Sequence, residues 1–124
     1  MIRINEIAFT CYPVTDMGRA RDFYENVLGL KPTLVHESED GSTAWTEYDI
    51  GAGTFSIGKW GDWLPAAGGA SVAFEVDDFD AAVQTLKERG VPFKMEPFPT
   101  PVCRLAFILD PDGSAICIDK RHAA

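Results

Sequence analysis

The feature that most constrains this chain is that its pattern runs twice. A strand, a capped helix, a glycine stop and three more strands can be read from the N-terminus, and the same order restarts near residue 70. The copies align at an offset of about 62 residues, far longer than a solenoid repeat and present only twice. Val14 falls on Val76, Asp16 on Asp78 and Ala20 on Ala82, while the helix-stop glycines Gly29 and Gly90 are one residue out of that register. A chain of 124 residues has room for two small modules or one domain built from them. Module 1 is assigned to residues 1–58, a linker to 59–69 and module 2 to 70–124.

In the first copy, Ile4 to Tyr12 is the first strand candidate. Thr15 or Asp16 caps a helix running to about Leu28, with Met17, Ala20, Tyr24, Val27 and Leu28 on one face. Gly29 tolerates the left-handed stop and Pro32 prevents continuation. Strands are expected over Thr33–Glu37, Thr43–Ile50 and Thr54–Ile57, separated by the turn signals Asp40-Gly41 and Gly51-Ala52-Gly53. In the second copy the strands are Ala70–Val76, Val91–Met95, Arg104–Leu109 and Ala115–Ile118. Asp78 caps a helix to Arg89 with Phe79, Ala82, Val83 and Leu86 on one face. Pro97, Pro99 and Pro101 predict a rigid extended loop before Cys103. Residues Gly58 to Gly69 hold four glycines, one proline, Trp60 and Trp63, and both tryptophans are expected at a pocket rim or an interface.

Each module therefore carries one helix on one face of its sheet. Val72, Phe74 and Val76 should face the helix, leaving Ser71, Ala73 and Glu75 on the other side. The offset gives Phe9 the place of Ser71. Cys117 is expected on that same side opposite Phe107, and in the first copy Ser56 is expected to pair with Tyr48.

Composition narrows the function classes. The formal charge of −8, from 11 basic and 19 acidic residues, leaves no basic stripe for nucleic acid. No apolar run nears the roughly 20 residues of a membrane span. The N-terminus lacks the apolar core of a secretory signal. Cys11, Cys103 and Cys117 are odd in number and widely spaced, so free thiols and a reducing cytoplasm are expected.

Asp16-Met17-Gly18-Arg19-Ala20-Arg21-Asp22-Phe23-Tyr24-Glu25-Asn26-Val27-Leu28-Gly29-Leu30 resembles the first helix of the vicinal oxygen chelate superfamily, which includes glyoxalase I, extradiol dioxygenases and bleomycin-resistance proteins. Phe107-Ile108-Leu109-Asp110-Pro111-Asp112-Gly113 resembles its closing hairpin. The resemblance implies an α+β fold in which two βαβββ modules form a curled mixed sheet with helices on the outer face, and a homodimer. In metal-dependent members His, Gln or Glu side chains on the first and last strands of each module hold a divalent cation. Those positions carry over to Phe9, Ser56, Ser71 and Cys117. A phenyl ring and two hydroxyls are poor donors for such a metal, so no metal and no other cofactor is expected. Glu75 lies roughly 13 Å from Ser71 along an extended strand and does not complete that site.

Three readings follow. One is a metal-free binder of a small organic molecule, in a cup lined by Phe9, Tyr48, Ser56, Trp60, Ser71, Glu75, Cys103, Phe107 and Cys117. The second is a lyase, isomerase or dioxygenase-type enzyme, for which Glu75 is the best candidate catalytic base. The third is a degenerate dimerisation module. Glu75 reads equally as an ion-paired residue, and Cys103 and Cys117 as packed or reactive thiols.

Overall fold

The computed structural model describes residues 1–122 and divides into two compact units, Met1–Pro65 and a second beginning at Ala66. Each unit has one helix and a mixed four-stranded sheet, giving an α+β fold of two like halves.

In the first unit β1 (Thr10–Pro13) runs parallel to β4 (Gly53–Lys59). β3 (Ala44–Ile50) and β2 (Pro32–Glu37) complete the sheet in the order β1-β4-β3-β2. The Asp16 carboxylate accepts from Arg19 N at 3.0 Å and starts α1 (Met17–Arg21), as its sequence position predicts. The helix then widens into a π-helical segment, Asp22–Val27, with Leu28 N donating to Phe23 O at 3.0 Å. A uniform α-helix was the expectation. The wider turn lets the consecutive rings Phe23 and Tyr24, 5.1 Å apart and edge to face, both bury. Gly29 ends the element at φ +77°, a conformation costly for any side chain.

The first strand is shorter than the expected Ile4 to Tyr12. Thr10 pairs with Phe55, and β4 begins at Gly53, so only a residue or two before Thr10 could find a neighbour. Ile2, Ile4 and Ile7 lie upstream of the strand and are exposed.

The second unit repeats the plan with β5 (Val72–Glu75), α2 (Phe79–Glu88), β6 (Phe93–Pro99), β7 (Cys103–Leu109) and β8 (Ala115–Arg121), in the sheet order β5-β8-β7-β6. Asp78 caps α2 by accepting from Ala81 N at 3.0 Å. The proline-rich stretch is a strand as well as a loop, because Pro97 and Pro99 fall inside β6. An edge strand tolerates a missing N–H donor, and the register shifts beside Pro97. The closing hairpin is pinned by Asp110, whose Oδ1 accepts from Asp112 N and Ser114 N at 3.0 and 2.9 Å.

Both cores lie between helix and sheet. In the first, Tyr24, Tyr48 and Ile57 are fully buried. In the second, Ile108, Ile116 and Ala106 are, and the Arg104 guanidinium lies 4.6 Å over the Phe79 ring while pairing with Asp80 at 2.7 Å.

Candidate ligand-binding faces

Strand alternation sends every second side chain to the sheet face away from the helix. In the first unit one row across that face is Cys11, Ser56, Glu47 and Leu34, and the next joins Gly58, Trp45 and His36. Trp45 anchors a run of rings. Phe9 meets it edge-on at 5.6 Å, Trp60 stacks on it at 5.3 Å, and Trp63 stacks on Trp60 at 4.6 Å. Trp45 Nε1 donates to Glu47 Oε2 at 2.8 Å, which fixes the indole plane. Trp60 keeps 42% of its surface exposed. Gly58 makes the stack possible, since a Cβ there would sit 2.7 Å from Trp45 Cε3 and 3.0 Å from Trp60 Cζ3.

Tyr48 does not pair with Ser56. Glu47 pairs with Ser56, and Tyr48 with Phe55. That single step turns Tyr48 to the helix side. There it is fully buried and its hydroxyl donates to Glu25 Oε2 at 2.9 Å. Arg21 Nε holds the same carboxylate at 2.6 Å. The Arg21 hydrogen bond is the main cause holding Glu25 below its usual range, and burial is the main cause raising the Tyr48 phenol. Ser56 is also fully buried, and its hydroxyl donates to Thr10 O at 3.2 Å.

In the second unit Phe107 pairs with Cys117, as the sequence predicts, and Cys117 with Ala73. Ser71 and Phe107 border a cavity of about 280 Å³, together with Gly69, Lys94, Met95 and Ala115. Glu75 lies at the strand end, where both its oxygens accept from Arg121 N at 3.1 and 3.3 Å and Lys120 Nζ stands 3.9 Å away. Cys103 sits against Thr100, Sγ to Oγ1 3.2 Å. Strand parity puts Ser71 and Phe107 on the side where this cavity lies, whereas Lys94 and Met95 carry no such signal in the sequence.

The thiols are poor nucleophiles. Burial pushes Cys117 up to about 11, and burial, opposed by the Ser56 hydrogen bond, pushes Cys11 up to about 11. The Thr100 hydroxyl pulls Cys103 down, but its bond to Asp119, desolvation and the charges of Asp119 and Glu75 outweigh that and leave it raised. Iodoacetamide at neutral pH should therefore label the native protein far more slowly than the urea-unfolded chain, a contrast mass spectrometry reads directly. Labelling of Cys117 at the unfolded rate would contradict this account.

The positions where the resemblance places a metal do not fit one. Phe9 offers a ring already packed on Trp45, Ser56 a hydroxyl turned to a backbone carbonyl, and Cys117 a thiol held protonated. Serine hydroxyls are weak ligands for first-row metals, which favour imidazole and carboxylate. Among the described residues no group of three or more His, Cys, Asp or Glu side chains converges on one point.

Comparison with known families places this architecture. Residues 3–118 match the model of the Glyoxalase/Bleomycin resistance protein/Dioxygenase superfamily. The chain belongs to that superfamily. It is 36% identical over 110 residues to anthracycline biosynthesis protein DauV of Streptomyces sp. (strain C5), and 37% identical over 107 residues to anthracycline biosynthesis protein DnrV of Streptomyces peucetius. Those alignments cover 88% and 85% of this chain but only 39% and 38% of the relatives, so the chain spans about two fifths of their length. Among solved structures, TnmS3, an antibiotic binding protein from Streptomyces sp. CB03234, superposes with a TM-score of 0.81 at 26% identity, covering 98% of this chain and all of that one. Leishmania major glyoxalase I superposes at 0.76 and 19% identity, over 94% of this chain and 87% of that one. A binding protein and an enzyme thus share this superfamily's fold, and side chains must decide what each member does.

Proposed function

We propose that this superfamily member binds a small planar aromatic molecule without using a metal, and that the Trp45–Trp60–Trp63 stack is its main recognition surface. The observation that carries this reading is the geometry of the stack. Three indoles lie within 27° of parallel from one to the next, and the middle one is exposed. Aromatic faces favour offset stacking, and a partly wet run of indoles gains most when a flat apolar partner extends it. Two relatives are named for anthracycline biosynthesis and one structural neighbour for antibiotic binding, which supports a polycyclic ligand class. Glu75 speaks for binding over catalysis, because both its oxygens are already engaged by the Arg121 backbone.

Titration with an anthracycline tests this. Tryptophan emission should be quenched saturably, and Trp60→Ala should weaken binding roughly tenfold, since a lost stacking partner and its buried area together exceed about 1 kcal/mol. No saturable quenching, or a Trp60→Ala variant that binds as tightly as the parent, overturns the reading.

A further inference from the structure

The cavity of the second unit has a different chemistry from the tryptophan stack. Its floor is Phe107, Met95 and Ala115; its polar side chains are Lys94 and Ser71. In a chain with 19 acidic residues, no carboxylate lines it. Lys94 makes no ion pair among the described residues, whereas Lys87, Arg104 and Lys120 each face an acid.

A backbone irregularity puts Lys94 there. Phe93 pairs with Ile108 and Met95 with Phe107, so β6 advances two residues while β7 advances one. Lys94 is the extra residue of a β-bulge. In a regular strand Lys94 and Met95 would point to opposite faces; here both border the same cavity as Phe107. The first unit has the same bulge, between Pro32 and Leu34, and its extra residue is Thr33. There the side chain folds back, its hydroxyl donating to Glu47 O at 3.2 Å. The position of Phe107 is held in the first unit by Glu47, through the equivalent pairings Phe107–Cys117 and Glu47–Ser56. The two halves thus share a backbone but differ in charge at matched places: Lys94 stands where the first has the neutral Thr33, and Glu47 where the second has the neutral Phe107.

We propose that this cavity binds a small organic anion, with the acidic oxygen of a carboxylate or phenolate at Lys94 and Ser71 and a flat apolar body over Phe107 and Met95. Its volume is near the lower end for small-molecule sites, which suits one or two fused rings. The ammonium and hydroxyl supply charge-assisted and neutral hydrogen bonds, and Met95 sulfur and Phe107 supply a polarisable floor. The proposal goes beyond the stacking surface and extends the reading that the chain binds small molecules.

Isothermal titration with two probes of one shape tests it. 2-Naphthoate should bind, and 2-naphthamide, which lacks the charge, should bind about tenfold more weakly, the preference shrinking in high salt as an exposed lysine requires. Lys94→Gln should reduce naphthoate to the level of the amide while leaving amide binding unchanged. Lys94→Arg should keep the preference, and Phe107→Ala should weaken both probes. Equal affinity for the two probes, no saturable binding of naphthoate, or a Lys94→Gln variant that binds naphthoate as the parent does overturns the proposal. The anthracycline titration can fail while naphthoate binds, which removes the stacking reading and leaves this one.

Discussion

Tyr48→Ala should lower the unfolding free energy by about 3–5 kcal/mol, the range for deleting a large buried side chain, and should be the most damaging single truncation in the first unit. Tyr48 is fully buried, 6.3 Å from the Tyr24 ring and 6.4 Å from Phe55. Its removal leaves a cavity walled by rings that relax poorly, and it strips a donor from Glu25. Tyr48→Phe separates these effects. It keeps the packing, leaves Arg21 on the carboxylate, and should cost about 1.5–3 kcal/mol, the worth of one hydrogen bond to a charged group. The pH dependence gives the sign. Glu25 is held below the ordinary glutamate value, chiefly by Arg21 and then by Tyr48. Its contribution is complete above that value and is lost as pH falls through the lower, folded one. Tyr48→Phe should make the acid-side loss shallower. Urea melts between pH 3 and 7 read both quantities; a Tyr48→Ala variant within about 1 kcal/mol of the parent would show that the site is not a packed core.

The doubled architecture was legible because periodicity, caps and glycine stops repeat at one offset, and local chemistry sets all three. Asp16 and Asp78 cap their helices as read, and Gly29 and Gly90 both take positive φ. What failed depended on partners. The stretch from Ile4 to Phe9 reads as strand, but a strand lasts only as long as its neighbour. The Ser56–Tyr48 pairing failed on turn length. The first hairpin closes with Ile50 opposite Gly53, the second with Leu109 opposite Ala115. Because the two turns differ in length, no single offset carries the pair Phe107 and Cys117 onto a paired couple in the first hairpin, and a one-residue slip exchanges the faces. Lys94 escaped for a similar reason. Alternation sends it away from Met95, and nothing in Phe93-Lys94-Met95 announces a bulge. Nothing in its sequence position separates Trp45 from a core residue; only the Phe9, Trp60 and Gly58 contacts show that it anchors a run of rings.

Gly58 offers the sharpest test of that surface. Gly58→Ala adds a methyl that would lie 2.7 and 2.9 Å from Trp45 Cε3 and Cζ3 and 3.0 Å from Trp60 Cζ3. Carbon atoms do not approach so closely, so the rings must move. Gly58 is buried and its φ is not positive, so the substitution carries no backbone penalty and acts through the indoles alone. Overpacking of this kind costs about 1–3 kcal/mol. Anthracycline affinity should fall at least as far as it does in Trp60→Ala, because both indoles shift from their stacked positions, and tryptophan emission should change even without ligand. Gly53→Ala is the matched control. It lies on the same strand without positive φ, and its methyl meets nothing closer than the Ile50 carbonyl at 3.6 Å. It should change neither emission nor affinity. A Gly58→Ala protein with parental emission, stability and anthracycline binding would mean that the tryptophans are free to rearrange. A surface that loose has no fixed plane to offer a flat ligand.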